Sequence, residues 1–198
     1  MSPLELSAAA FGAVAVYLST RENIWAWPVA LVNVALYSVV FFEARLYADM
    51  GLQIVYFVLS AYGWFYWNYG GNMRQALPVS RATRSQLLWG LAVGAATWLV
   101  LGAGLSQTDA AIPWLDSLLT STSLIAQWML TRKLLENWAL WFAVDLVYVP
   151  TFIARGLYPT AALYAVFLIL AVVGWRQWKI SLHNTLSSAL TPNTPAAK

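Results

Sequence analysis

One acid stands among aromatic rings in the stretch Glu136–Pro150, ENWALWFAVDLVYVP. On a helix, Trp138, Trp141, Asp145 and Tyr148 fall at i, i+3, i+7 and i+10, positions that share one face. The stripe presents two indoles, a carboxylate and a phenol on an otherwise apolar rod. At the centre of a bilayer a carboxylate costs roughly 2.5–3.5 kcal/mol, so it must face protein or water. An acid beside flat aromatic surfaces suits a small, planar, polar ligand. A cationic ring would gain from both partners, by cation–π attraction and by Coulomb stabilisation. No Lys or Arg lies at the depth of Asp145 in the chain, so an ion-pair partner would have to reach in from a loop.

Other polar groups sit at spacings that could meet this stripe. Asp116, Thr120, Ser123 and Gln127 follow one another at i, i+4, i+7 and i+11. Gln53, Tyr56, Ser60 and Gly63 share a face of an earlier segment. Asn33 and Tyr37 lie one turn apart on another, with Trp25, Trp27 and Pro28 at its start. Converging, these faces would enclose amides, hydroxyls, one acid and several aromatic planes, a cavity fit for a heteroaromatic ring and a sugar or amide. Each group also has a simpler structural use. Trp64, Trp67, Trp175 and Trp178, near segment ends, read as interfacial anchors. Ser117, Ser121 and Thr122 read as glue between helices, and Gln53 and Gln127 as inter-helix hydrogen bonds. Asp116, following Pro113, reads as a helix N-terminal cap. Gly63 and Gly174 read as sites of close helix approach.

The elements that must position these groups are membrane helices. Of the 198 residues, 61% are hydrophobic and 10% charged, and the mean hydropathy is +0.63. A soluble domain carries about 25% charged residues, so a water-facing surface is excluded. The apolar runs are long and continuous, which indicates helices rather than a barrel. The net charge of +3 comes from dispersed loop residues, too sparse to grip a nucleic acid backbone. With no cysteine and a single histidine, His183 in the polar tail, neither a metal nor another cofactor is expected. An intramembrane enzyme would need paired acids or a His/Glu metal set; Asp145 has no second acid at matching depth, so no enzyme is expected. The first apolar segment lacks a basic flank and reads as a retained helix rather than a signal peptide.

Seven membrane segments are predicted, at roughly 4–20, 25–42, 47–68, 86–105, 113–131, 137–153 and 157–179. The connections are short except for Asn68–Ser85, a polar loop carrying Arg74, Arg81 and Arg84. Beyond Lys179 the Ser/Thr/Pro-rich composition predicts a disordered tail over 180–198. Arg21, Arg74, Arg81, Arg84, Arg132, Lys133, Arg176, Lys179 and Lys198 fall on one side, and Arg45 and Arg155 on the other. That bias predicts a cytoplasmic C-terminus and, with seven spans, an external N-terminus. An internal repeat accompanies the pattern. Thr20-Arg21 recurs as Thr131-Arg132, Leu46-Tyr47 as Leu157-Tyr158, and Gly63-Trp64-x-x-Trp67 as Gly174-Trp175-x-x-Trp178, all at one separation; Ala44-Arg45 matches Ala154-Arg155 with a one-residue slip. Two three-helix repeats are expected, over 1–68 and 107–179, joined by a loop and linker helix over 69–106. An odd number of linking helices makes the repeats parallel, the arrangement of SWEET-type carriers, with a substrate site near the midplane.

On these residues the chain resembles the PnuC family of vitamin transporters. The resemblance is carried by LYADMGLQIVYF in the first repeat and by AQW and ENWALWFAVD in the second, and extends over most of residues 25–67 and 119–178. It implies an all-α integral membrane fold of seven transmembrane helices in a 3+1+3 parallel-repeat, SWEET-like arrangement, assembled as a homotrimer in a bacterial inner membrane. It implies uptake of nicotinamide riboside, an NAD precursor, by facilitated diffusion, made one-way by a cytoplasmic kinase that phosphorylates the substrate. Relatives carry thiamine or riboflavin, and a proton- or sodium-coupled carrier using Asp145 is the mechanistic alternative. Mapped onto this sequence, the resemblance implies a substrate site of Trp141, Asp145, Asn137 and Tyr148, with Gln127 and Thr120 from the preceding helix and Asn33, Trp27, Gln53 and Tyr56 from the first repeat. The implied roles are aromatic planes around a pyridinium ring, amides on its carboxamide and polar stripes on ribose hydroxyls.

Overall fold

The long apolar runs fold as helices, which satisfy every backbone hydrogen bond internally. The computed structural model describes residues 3–43, 47–108, 112–154, 156 and 158–190; the side chains of 47–49, 159, 189 and 190 lie outside it. In chain order the helices are α1 (Pro3–Thr20), α2 (Ala26–Glu43), α3 (Tyr47–Tyr69), α4 (Arg84–Leu105), α5 (Pro113–Thr131), α6 (Asn137–Ala154) and α7 (Tyr158–Leu190). Leu46, Leu157, Ala44, Arg45 and Arg155, which enter the repeat and the charge bias, lie outside the described residues, as does Lys198.

Local chemistry sets several boundaries. Thr83 caps α4 through a capping box: the Gln86 N–H donates to the Thr83 hydroxyl at 3.2 Å, and the Thr83 N–H donates to the Gln86 side chain at 2.8 Å. Pro113 opens α5 at its first position, where its missing N–H costs nothing. The cap of α5 is Ile112, not Asp116, which stands one turn inside and donates its own N–H to the Ile112 carbonyl. α1 and α5 end alike. Glu22 and Lys133 take left-handed conformations, φ 53° and 49°. In each turn the N–H of that residue and of the next bond back to the helix: Glu22 to Ser19 and Asn23 to Leu18, Lys133 to Leu130 and Leu134 to Met129. Both are Schellman turns.

One expectation changes. The segment beyond Lys179 is not a disordered tail from 180: α7 runs on to Leu190, 33 residues and thus about 50 Å long. Leu182 packs on the core beneath it. Thr185 and Ser188 turn their hydroxyls onto carbonyls one turn back, so polar composition does not break the helix. Of the seven predicted spans, five are long and apolar enough to cross a membrane among the described residues: α1, α2, α4, α6 and the Thr160–Ser188 part of α7. The other two, α3 and α5, carry the Gln53–Ser60 and Thr120–Gln127 polar groups and pack against each other. Protein, not lipid, therefore receives part of each surface, which lowers the apolarity they need.

Consecutive helices pack together in α1–α2–α3 and in α4–α5–α6–α7, and the two groups meet where α1 lies on α7 and α3 on α5. Contacts recur in pairs at a separation of 111 residues, the separation of Glu22 and Lys133. Thr20 and Thr131, both fully buried, donate to the carbonyls of Tyr17 and Trp128, each at 2.7 Å. Trp67 of α3 donates its indole N–H to the Leu130 carbonyl at 3.0 Å, and Trp178 of α7 donates to the Ser19 carbonyl at 3.0 Å.

The core is a layer of four indoles. Trp27 meets Trp67 edge-on with centroids 5.2 Å apart, Trp138 meets Trp178 at 5.4 Å, and Trp67 meets Trp178 at 5.9 Å. All four are at most 2% exposed. Trp67 and Trp178 are thus core residues rather than lipid anchors, because their indole N–H groups bond across to the other helix group; Trp64 remains 41% exposed. The close approach expected at Gly63 and Gly174 is present. A Cβ on Gly63 would drive into the Trp27 ring, and one on Gly174 into the Trp138 ring. Gly174→Ala should destabilise the protein by about 1–3 kcal/mol through overpacking, read as a lower midpoint of thermal unfolding in detergent. An unchanged midpoint would mean that the ring can give way.

Candidate functional site

The turns joining α1 to α2 and α5 to α6 lie at one end of the helix bundle. There Lys133 Nζ meets Glu22 Oε2 at 3.0 Å and stands 4.6 Å from the Trp67 ring centroid. Beneath this pair lies the indole layer. Asp145 comes seven residues after Trp138 on α6, about 10 Å further into the bundle at 1.5 Å per residue. It is 3% exposed and forms no ion pair among the described residues.

Asp145 neighbours Tyr164, around which aromatic side chains from three other helices gather. Tyr164 of α7 lies close enough to Tyr148, Asp145, Tyr56 and Tyr37 to feel each electrostatically. Its ring meets that of Tyr148 at 5.0 Å, Phe152 at 5.0 Å and Phe167 at 5.6 Å. Tyr148 stacks on Phe152 at 5.4 Å, one turn along α6. Tyr56 of α3 lies against the hydroxyl of Ser123 on α5. The layer thus offers one carboxylate, four phenols and flat ring surfaces, with no Lys or Arg on the helix stretches that form it. Chemically it can accept a cationic or neutral ring between aromatic planes and hydrogen-bond its substituents. A phosphate dianion would meet an acid and no counter-charge.

Of the ten residues singled out from the sequence, Asp145, Tyr148 and Tyr56 come together here. Gln53 lies one turn before Tyr56, and Thr120 and Gln127 one turn to either side of Ser123; all three are partly buried on the packed pair α3 and α5. Asn33 directs its amide N–H to the Ala8 carbonyl at 2.7 Å, against Gly12, so that donor joins α1 to α2. Trp27 and Trp141 lie elsewhere: Trp27 in the indole layer and Trp141 packed against it. Asn137 is fully buried and donates to the Leu134 carbonyl at the start of α6. Its Oδ1, like the indole N–H groups of Trp27 and Trp138, has no hydrogen-bond partner among the described residues.

Tyr164 was not among the ten. The signal that finds it is the repeat itself. The 111-residue separation carries Gln53 onto Tyr164 and Tyr56 onto Phe167. The amide and phenol of one repeat become phenol and phenyl in the other, so residue identity does not reveal the correspondence.

Helices of spanning length around a buried polar and aromatic layer define a polytopic membrane protein. The chain belongs to the nicotinamide mononucleotide transporter family, whose model matches residues 2–180. It is 28% identical over 207 residues to the nicotinamide riboside transporter PnuC of Escherichia coli (strain K12), covering 91% of this chain and 86% of that protein. It is 28% identical over 173 residues to the riboflavin/roseoflavin transporter RibM of Streptomyces davaonensis, covering 84% and 80%. A crystal structure of the vitamin B3 transporter PnuC superposes with a TM-score of 0.73 at 23% identity, over 91% of this chain and 82% of that one. The protein is a multi-pass membrane transporter and not an enzyme.

Proposed function

We propose that this protein takes up nicotinamide riboside across a bacterial inner membrane by facilitated diffusion. The observation that carries the reading is Asp145, buried with no ion-pair partner among the described residues and beside Tyr164, which neighbours Tyr148 and Tyr56 in turn. Nicotinamide riboside has a fixed positive charge on a flat pyridinium ring, which such a layer complements. The mononucleotide named in the family description adds a phosphate, for which this layer holds no cation. The name of the Escherichia coli relative agrees with the riboside. The RibM relative supports riboflavin as the second reading; a neutral ring system would use the aromatic planes and gain little from Asp145. Thiamine, also a cation, is the third substrate to compare.

The seven helices are read as two parallel three-helix repeats, α1–α3 and α5–α7, with α4 as linker. The paired contacts at constant separation support this 3+1+3 arrangement. The substrate then sits between repeats, bounded by Asp145 and Tyr148 from one and Tyr56 and Gln53 from the other. Thr120 and Gln127 line its approach from α5, while Trp141, Asn137, Trp27 and Asn33 hold the surrounding helices in place. The Lys/Arg bias supports a cytoplasmic C-terminus, an external N-terminus, and a cytoplasmic position for the end that bears Glu22 and Lys133. A homotrimer and trapping of the substrate by a cytoplasmic riboside kinase are part of the proposal and rest on the resemblance.

The test is uptake of labelled nicotinamide riboside, its mononucleotide, thiamine and riboflavin into vesicles without ion gradients. The riboside alone should equilibrate, without accumulating. Accumulation above equilibrium in the absence of a kinase would remove the passive mechanism in favour of ion coupling. Faster entry of the mononucleotide, thiamine or riboflavin would remove the substrate assignment.

A further inference from the structure

We propose that the Glu22–Lys133 pair is a latch on one mouth of the transporter, and that this mouth opens on one side only, along the seam between α1 and α7. The proposal rests on the transport reading for its purpose, but its geometry is independent of the substrate.

Three observations carry it. The pair joins the α1–α2 turn to the α5–α6 turn at 3.0 Å, directly over the indole layer, with Lys133 also on the Trp67 face. Separating the two helix groups at this end must break it.

The second observation is where the two charges are mounted. Each occupies the left-handed position of a Schellman turn, where glycine is the unstrained choice and a residue with a Cβ is strained. Two turns that both carry a charged side chain at that position, and aim the charges at each other, retain strain for the sake of the pair.

The third is that the two seams are tied unequally. At the α3–α5 seam the chain after α3 forms a strap. Leu77 N–H bonds to the Trp67 carbonyl at 2.9 Å, Ser80 N–H to the Lys133 carbonyl at 3.0 Å, and Leu135 N–H to the Ser80 carbonyl at 2.9 Å. The Ala82 N–H donates to the Glu136 carboxylate at 2.9 Å, and Val79 is buried in the indole core. This segment, expected from sequence to be a polar loop, is therefore a backbone tie that holds Lys133 in place. At the α1–α7 seam the cross-bond among the described residues is the single indole donation from Trp178 to Ser19. A cleft of about 280 Å³ already runs along it, lined by Thr20, Arg21, Glu22, Gln177, Ser181 and Asn184. Glu22 borders this cleft, so on release its carboxylate moves into water while Lys133 stays with the strap. The cleft becomes the vestibule.

The experiment uses spin-label distances on the full chain in lipid vesicles, which the absence of native cysteine makes direct. Arg21→Cys with Asn184→Cys reports the α1–α7 seam; Tyr69→Cys with Ala139→Cys reports the strapped side. Lys133→Gly removes the latch while favouring the turn, and Glu22→Gly does so from the other partner. Either variant should add a longer component to the first distance distribution and leave the second unchanged. The exchanged pair Glu22→Lys/Lys133→Glu should return the first distribution to that of the native chain. No change in either glycine variant, equal lengthening at both seams, or failure of the exchanged pair to restore the distance would overturn the latch. Uptake of labelled nicotinamide riboside by the same vesicles is read separately: its absence in the native chain removes the transport reading and leaves the distances to judge the latch.

Discussion

Replacing Asp145 by asparagine is expected to weaken nicotinamide riboside binding about a hundredfold while making the protein more stable. A unit charge about 5 Å from the pyridinium contributes ~3 kcal/mol at an effective dielectric near 20, which is about two decades in Kd. Asparagine keeps the shape and the hydrogen-bonding oxygen, so the loss isolates the charge. The stability gain has the same origin. A carboxylate 3% exposed and without an ion-pair partner among the described residues is held at a desolvation cost that a neutral amide largely escapes. Titration of ligand against purified protein gives the first effect, and thermal unfolding without ligand gives the second. Riboflavin, lacking the fixed charge, should be nearly indifferent to the substitution. Equal riboside affinity in the two proteins would take Asp145 out of the site and return it to a structural role.

Replacing Trp178 by alanine is expected to cost about 3–5 kcal/mol of stability. The side chain is fully buried and touches both Trp67 and Trp138. Its removal opens a cavity between the two helix groups and leaves the Ser19 carbonyl without its indole donor. Trp178→Phe separates the two contributions. It keeps most of the ring and loses the hydrogen bond, for about 1 kcal/mol. Denaturant or thermal unfolding in detergent would show alanine well below phenylalanine and phenylalanine slightly below tryptophan. A loss in Trp178→Ala within about 0.5 kcal/mol, the range of a surface change, would mean that the four-indole layer does not hold the groups together. The same layer closes the space between Asp145 and the Glu22–Lys133 end, so these variants also test whether closure and stability share one set of contacts.

The stripe on α6 illustrates how far periodicity reaches. The spacing of Trp138, Trp141, Asp145 and Tyr148 defines a face, and in the folded protein that face turns inward. Periodicity does not say that Trp138 would be consumed in a tryptophan core while Tyr148 met Tyr164, because that depends on how α7, a separate helix, packs against α6. Trp67 and Trp178 show the same limit from the other side. Near the ends of apolar segments, tryptophan is favoured by the membrane interface, and nothing local separates an interfacial indole from one that donates to a carbonyl across the bundle. The end of α7 departs from its composition for a related reason. Ser181–Leu190 reads as polar and flexible by composition, yet Leu182 docks on the core and continues the helix.

By itself the sequence determines an all-helical membrane protein, the positions of seven helices to within a few residues outside the α7 terminus, and a recurrence at constant separation that predicts where contacts will be paired. These follow from local quantities: the length of apolar runs, capping residues, and the period of polar groups along a helix. Tertiary structure alone decides that Asp145 shares its layer with Tyr164 and Tyr56, that Trp27 belongs with Trp67 rather than with the acid, and that Ser80 straps one seam while the other carries a cleft. Those are choices among helix faces that are equally apolar when read singly. They are settled only when side chains far apart in the chain compete for the same interior volume and the same few hydrogen-bond partners.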